Sequence, residues 1–153
     1  MIAVLQRADE ASVEIDNEIT AETGMGLMIL LGVSVEDEEK DAELLAEKIV
    51  KLRIFEDEEG KMNRSVTDVG GEIMVVSNFT LLAAYRKGNR PDYMQAAHPD
   101  VANRLYEYFI ACLEKTTPVV KHGVFGAEMK IRLTNNGPVT IVMDSNVLKQ
   151  PKR

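Results

Sequence analysis

The run Leu27-Met28-Ile29-Leu30-Leu31-Gly32-Val33 constrains this chain more than any other stretch. It has strand length and no polar side chain for either face, so it demands apolar cover on both sides. A strand like that belongs in the middle of a sheet. The chain has 153 residues, which is about one domain, and a chain this size hides roughly 68–70% of its unfolded surface. At 45% hydrophobic and 28% charged it reads as an ordinary globular protein with enough core to enclose such a strand.

The segments around that run show the periods of a mixed domain. Ala3-Val4-Leu5-Gln6-Arg7 and Ala11-Ser12-Val13-Glu14-Ile15 alternate as half-buried strands do, and Asp16-Asn17 followed by Glu18-Ile19-Thr20-Ala21 reads as a hairpin. Ala42, Leu45, Ile49 and Leu52 make one helical stripe behind the acidic start Asp37-Glu38-Glu39, where negative charge suits the helix dipole. A second helix opens at Pro99 and runs to about Lys115, with Leu105, Phe109, Cys112 and Leu113 as its buried stripe. Further strands are expected at Glu72–Val76, Val119–Lys121, Met129–Thr134 and Val139–Met143. The order of strands, helix, strand, helix, strands gives a mixed α/β (α+β) fold. Two helices pack on a curved sheet, which is not doubly wound. No repeat or linker divides the chain, so residues 1–145 are expected as a single domain, with a frayed tail from Asn146 to Arg153.

Charge and cysteine content exclude several classes. Eighteen Lys+Arg against 25 Asp+Glu give a net charge of −7, unlike a generic DNA coat with its basic face. The excess lies between Ser34 and Gly60, which holds 11 acids and 4 bases, and it reads as a solvated face. Arg86-Lys87-Gly88-Asn89-Arg90 is the one small basic patch. The single cysteine, Cys112, excludes an intrachain disulfide framework and a Cys-rich zinc site. No apolar run approaches the ~20 residues of a membrane span, and the start lacks the features of a signal peptide. The expected compartment is a reducing cytoplasm.

His98 and His122 are isolated and lack metal-ligand spacing, so neither a metal nor a cofactor is expected. His98 stands before a helix-starting proline and His122 in a polar turn, and both read as exposed. There is no GxSxG elbow and no glycine-rich phosphate loop. Two segments remain. In Val76-Ser77-Asn78-Phe79-Thr80-Leu81 a strand runs into hydroxyl and amide side chains. This is either a plain strand end or a row of N–H groups facing a ligand carbonyl, as in an oxyanion hole. In Asn135-Asn136-Gly137-Pro138-Val139-Thr140 the Asn-Gly pair signals a hairpin. Pro138 fits the first residue of a returning strand poorly, and it is a candidate for a cis peptide beside a ligand.

With these segments in view, the chain resembles the D-aminoacyl-tRNA deacylases, also called D-Tyr-tRNA deacylases. The likeness runs from Val4-Leu5-Gln6-Arg7-Ala8 and Ala11-Ser12-Val13 to Asp144-Ser145. It passes through Gly26-Leu27, Leu31-Gly32-Val33, Lys51-Leu52-Arg53-Ile54-Phe55, Lys61-Met62-Asn63, Lys87-Gly88-Asn89-Arg90-Pro91 and Phe125-Gly126-Ala127-Glu128-Met129. The pairing of Ser77–Thr80 with Asn136-Gly137-Pro138-Val139-Thr140 is its most specific part. The resemblance implies the family's fold, with a curved, mostly antiparallel, barrel-like sheet, and a homodimer with two active sites at the subunit interface.

Each site would combine Ser77, Asn78, Phe79 and Thr80 of one chain with a cis Gly137-Pro138 turn of the other. The turn's carbonyls would meet the substrate's α-amino group and leave no room for an L side chain. Arg7 and Asn136 would support the turn, and Phe125, Met129 and Thr140 would surround the pocket. The implied reaction is hydrolysis of the ester joining a D-amino acid to the terminal adenosine of tRNA. Glycine on tRNA-Ala is a further implied substrate. A neighbouring ribose hydroxyl would assist, and N–H groups near Phe79 and Thr80 would stabilise the oxyanion. Ser77 or Thr80 as nucleophile is the variant mechanism. Arg86, Lys87 and Arg90 are candidate tRNA contacts at the acceptor end. The family usually carries glutamine where this chain has Asn78. Two other readings are a nucleic-acid-binding module linked to DNA replication, associated with relatives that carry a longer C-terminal tail, and a conventional Ser/His esterase.

Overall fold

The structure, a computed structural model, describes residues 1–153. Its first element, β1 (Ile2–Ile15), turns at Asp16-Asn17 into β2 (Glu18–Thr23). Both turn residues have positive φ, 50° and 65°, as a two-residue type I′ hairpin requires. The apolar run becomes β3 (Gly26–Gly32), antiparallel to the first half of β1 and parallel to β6 (Glu72–Ser77). Beyond β6 lies β7 (Val120–His122), also parallel, and β8 (Lys130–Asp144) runs antiparallel along the other edge of β1. The short strands β4 (Phe55–Glu56) and β5 (Met62–Arg64) pair apart from this sheet. The result is the expected mixed α/β architecture with a nearly closed, barrel-like sheet. Within this main sheet the antiparallel pairings all involve β1, and the β3-β6-β7 half is parallel.

The two faces of β3 enter different clusters. Leu27, Ile29 and Leu31 join Ala3, Leu5, Ile73 and Val75 against the helices α1 (Glu39–Lys51) and α2 (Pro99–Glu114), where Leu45, Ile49, Leu105, Phe109 and Leu113 are fully buried. Met28 faces the other way, into the curl of the sheet, with Ala8, Ala11, Val13, Met74 and Val76. Alternation of side chains along a strand produces this division. Cys112 is half-buried, and burial pushes its thiol up from the ordinary range, which suits an inert core-edge position. No helix is long and apolar enough to cross a membrane.

The acidic block is only partly a solvated face. Glu38 and Asp41 form a capping box at the start of α1. Asp37 takes the Met1 ammonium at 2.6 Å and the Ser34 amide at 2.6 Å. Asp41 is fully buried, and its carboxylate accepts from Ser145 Oγ and Lys149 Nζ, each at 2.6 Å. The expectation of a frayed tail is therefore corrected. Ser145–Lys149 forms a short third helix, α3, capped by Asp144, whose side chain accepts the Asn146 amide at 2.9 Å. Leu148 packs on the main core. A buried carboxylate needs partners, and α3 supplies two of them, a contact no local pattern in the tail reveals.

Burial alone pushes the Asp41 carboxyl up. The hydrogen bonds from Lys149, Ser145 and the Glu38 amide outweigh it and hold the group below the usual range. A carboxyl lowered in the folded state stabilises above its unfolded pKa, and that stability is lost as pH falls through the folded value. Acidification below about pH 4 should thus weaken the fold through this pair. Lys149→Met should cost about 1–3 kcal/mol at neutral pH, and Asp41→Asn should flatten the acid slope. Urea unfolding at pH 7 and pH 3 reads both. Equal slopes in wild type and Asp41→Asn would show that the pair carries no folding energy.

Candidate active site

A cavity of about 750 Å³ opens at the carboxyl ends of the three parallel strands, the end of such sheets where ligands bind. Val33 follows β3, Ser77 ends β6 with Asn78-Phe79 after it, and Phe125-Gly126-Ala127 and Met129 follow β7. The wall also takes Leu30, Val76, Tyr106 and Ile131, and no Asp, Glu, Lys or Arg lines it. Tyr106 closes the floor: its hydroxyl donates to the Val75 carbonyl at 3.0 Å, and burial pushes its pKa up. Phe79 stands at the lip, 58% exposed, with Tyr93 edge-on at 5.0 Å between ring centres.

The lip owes its shape to where β6 stops. Ser77 is the last residue paired with β3, opposite Leu31, and the Asn78 amide donates to the Leu31 carbonyl at 2.8 Å. The backbone then enters a single 3-10 turn, Phe79–Leu82. Such a turn leaves its leading N–H groups without acceptors of its own, and here these belong to Phe79 and Thr80. Thr80 Oγ1 donates to Asn78 Oδ1 at 2.5 Å, which holds the Asn78 side chain across the turn.

The Asn135–Thr140 segment corrects the hairpin reading. It lies within β8, whose two arms run the same way along β1. Gln6 pairs with Thr140 and Ala8 with Asn135, so β8 spends more residues than β1 over this interval. The surplus at Asn136-Gly137-Pro138 bulges from the ladder. The Gly137–Pro138 peptide is cis, and Gly137 has φ +130°. Arg7, almost fully buried, grips the bulge: Nε donates to the Asn136 carbonyl at 3.1 Å and Nη1 to the Ile54 carbonyl at 2.9 Å. Asn135 completes it, donating through Nδ2 to Thr140 Oγ1 and accepting the Val139 amide.

The sequence-derived site residues thus fall into two groups. Ser77, Asn78, Phe79, Phe125 and Met129 line the cavity, whereas Thr80 is exposed on the turn after Phe79 and does not line it. Arg7 and Asn136 belong to a separate small depression with Met25 and Phe55, beside Gly137 and Pro138, and none of these four lines the cavity. Thr140 lies with the second group through Asn135. Arg86, Lys87 and Arg90 are exposed on the loop between the Phe79–Leu82 turn and α2. Neither histidine is bonded to a hydroxyl: His98 pairs with Asp100, and His122 Nδ1 donates to the Gly123 carbonyl. His98 does front α2, and it also stands on the cavity wall. The sequence reading missed Tyr93 and Tyr106. The available signal for Tyr106 was a phenol beside Leu105 on the buried stripe, whose hydroxyl must find a partner.

The profile of the family described as D-Tyr-tRNA(Tyr) deacylase matches residues 4–144. D-aminoacyl-tRNA deacylases from Cytophaga hutchinsonii and Thermus aquaticus are each 53% identical over 146 residues, spanning 95% of this chain and 97% and 96% of theirs. A solved structure described as c-Myc DNA Unwinding Element Binding Protein is 43% identical, with a TM-score of 0.89 over 94% of this chain and 98% of that one. A probable eukaryotic D-amino acid tRNA deacylase, 17% identical with a TM-score of 0.81 over 93% of this chain and 97% of that one, shares the fold. The cavity has free amides at its lip, and its one histidine is paired with Asp100 rather than with a hydroxyl; with a family match that runs from the first strand to the last, the chain belongs to the D-Tyr-tRNA(Tyr) deacylase family and is a hydrolase.

Proposed function

We propose that this deacylase hydrolyses D-aminoacyl-tRNA in a composite pocket, with the Ser77–Thr80 lip of one subunit facing the Gly137-Pro138 bulge of a second copy. The observation that carries this reading is the separation, within one chain, of the cavity from the bulge. A bulge braced by a buried arginine and presenting backbone outward has no partner in its own cavity. Two-fold pairing of identical chains supplies one to each site. The apolar cavity takes the flat face of the terminal adenosine, and the ester lies at the lip. Attack on the ester carbonyl generates an oxyanion, for which the Phe79 and Thr80 amides are preorganised donors. With no Asp, Glu, Lys or Arg in the wall and no hydroxyl bonded to His98, the neighbouring ribose hydroxyl of the RNA assists the proton transfers. Neither Ser77 nor Thr80 has a base beside it to act as nucleophile.

Carbonyls of the bulge accept from the α-amino group and crowd out an L side chain. Glycine, which has no side chain to reject, also enters, so glycyl-tRNA is within range. Arg86, Lys87 and Arg90 face phosphates of the acceptor end, and the cytoplasm holds the substrate. Asn78, shorter than the family's glutamine, serves the turn through Thr80. The name of the 43% identical structure favours one other reading, a DNA-binding module. The net charge of −7 and the small extent of the basic patch weigh against it.

Single-turnover deacylation of a matched D- and L-aminoacyl-tRNA pair tests the proposal. The D ester should be cleaved and the L ester spared. Replacing His98 and His122 together by glutamine should leave the D rate within a few-fold. Loss of all activity in that variant would establish a Ser/His esterase instead, and tight duplex DNA binding without D cleavage would establish the module.

A further inference from the structure

The loop joining the Phe79–Leu82 turn to α2 carries side chains that the fold does not use. Tyr85 is 80% exposed and Met94 83%, each an apolar surface held in water without a partner. Between them stand Arg86, Lys87 and Arg90, all exposed. The loop is nevertheless built. Ala84 and Asp92 exchange backbone hydrogen bonds at 2.8 and 2.9 Å, and Asp92 Oδ1 accepts the Met94 amide at 3.2 Å. The only carboxylate in this stretch is thereby engaged, and the tip carries three cations in a chain whose net charge is −7. Both feet of the loop line the cavity, one through Phe79 and the other through Tyr93, Ala96 and Ala97. The loop is therefore rooted at both ends in the cavity wall.

Exposed aromatic surface interleaved with cations, next to a pocket for a nucleotide, matches single-stranded RNA. Such strands are bound by stacking of bases on aromatic rings, with phosphates tracked by basic side chains. We propose that Tyr85 is a stacking platform for the unpaired nucleotide immediately preceding the terminal adenosine. This assignment rests on the deacylase reading. It adds that affinity for the RNA is set outside the pocket by a residue that plays no part in chemistry.

The test compares Tyr85→Ala and Tyr85→Phe on two substrates, D-aminoacyl-tRNA and the D-aminoacyl ester of adenosine alone. Tyr85→Ala should raise KM for the tRNA about tenfold with kcat nearly unchanged, leave the adenosine ester unaffected, and be rescued by Tyr85→Phe. An independent readout uses uncharged tRNA bearing 2-aminopurine next to its terminal adenosine. Wild type should quench the fluorescence and Tyr85→Ala should not. An unchanged KM with unchanged quenching overturns the platform, as does an equal loss on both substrates. A shift in oligomeric state in Tyr85→Ala also overturns it, because a second copy would then cover the loop. If wild type cleaves neither ester, the deacylase reading fails, and the quenching experiment still decides whether Tyr85 stacks on RNA.

Discussion

Gly137→Ala should lower turnover of D-aminoacyl-tRNA by about 100-fold, the scale on which a displacement of about 1 Å at a reacting centre acts. The cause is local. Gly137 has φ +130°, where an L side chain is strained. A methyl there would lie 2.8 Å from Val139 Cγ2, 2.9 Å from the Val139 amide nitrogen and 3.2 Å from Arg7 Nη2. The backbone must shift, and the carbonyls of the bulge shift with it. The strain costs about 1–3 kcal/mol, which the fold should survive because β8 pairs with β1 on both sides of the bulge. Circular dichroism and single-turnover rates on one preparation separate the two effects.

The same variant tests whether the bulge serves the partner's pocket. Phe79→Pro removes an amide hydrogen at the first position of the turn, where proline fits, and should be inactive alone. Mixing unfolded Gly137→Ala and Phe79→Pro chains and refolding them should restore about a quarter of wild-type activity, since half the dimers are mixed and each has one intact site. No recovery on mixing would place bulge and pocket in one chain's service, and a wild-type rate for Gly137→Ala alone would remove the bulge from the reaction.

Arg7→Lys should reduce kcat/KM for the D substrate about 10- to 100-fold and lower the melting temperature by only a few degrees. The guanidinium reaches two carbonyls at once, Asn136 and Ile54, and an ammonium on a flexible stem cannot hold both in that fork. A hydrogen bond to a charged group contributes about 1.5–3 kcal/mol, and the lysine keeps the charge and one of the two bonds. The loss falls on the position of the bulge more than on the stability of the core. Cleavage of the L ester should rise as the D rate falls, since a loosened bulge excludes less well. Steady-state kinetics on both esters, with thermal unfolding alongside, measures this. If stability falls and both rates hold, Arg7 is a core residue and nothing more.

What the sequence disclosed, and what it hid, follows from the range of each interaction. The β3 run, the two helical stripes and the Asp16-Asn17 turn are set by neighbours within a few residues, and each formed where its period placed it. At Asn136-Gly137-Pro138 the sequence offers both a hairpin and a cis peptide; the peptide is cis, and the hairpin half of the reading fails. Only the pairing of β8 with Gln6 and Ala8, well over a hundred residues away, keeps the strand running straight on. The same distance hid α3, which has few apolar residues of its own and is tied down by Asp41. Ser77 to Thr80 and Gly137-Pro138 were singled out from sequence, but their separation into cavity and bulge is a property of the three-dimensional chain. Tyr93 escaped notice because nothing local marks a loop tyrosine as the neighbour of Phe79.

The pairing of β8 with β1 also dictates an order of assembly. The parallel trio and its helices join segments that leave the ribosome before residue 123, whereas the free edge of β1 waits for residues 130–144. Until then the first strand exposes a full row of unpaired backbone groups, a template for pairing with another chain. Contacts of such long sequence separation also form slowly. The guanidinium of Arg7 meets no Asn136 carbonyl until nearly the whole chain has been made. Truncated translation products should therefore be sticky as well as inactive, and conditions that slow the last stage of synthesis should favour aggregation over a partly working enzyme.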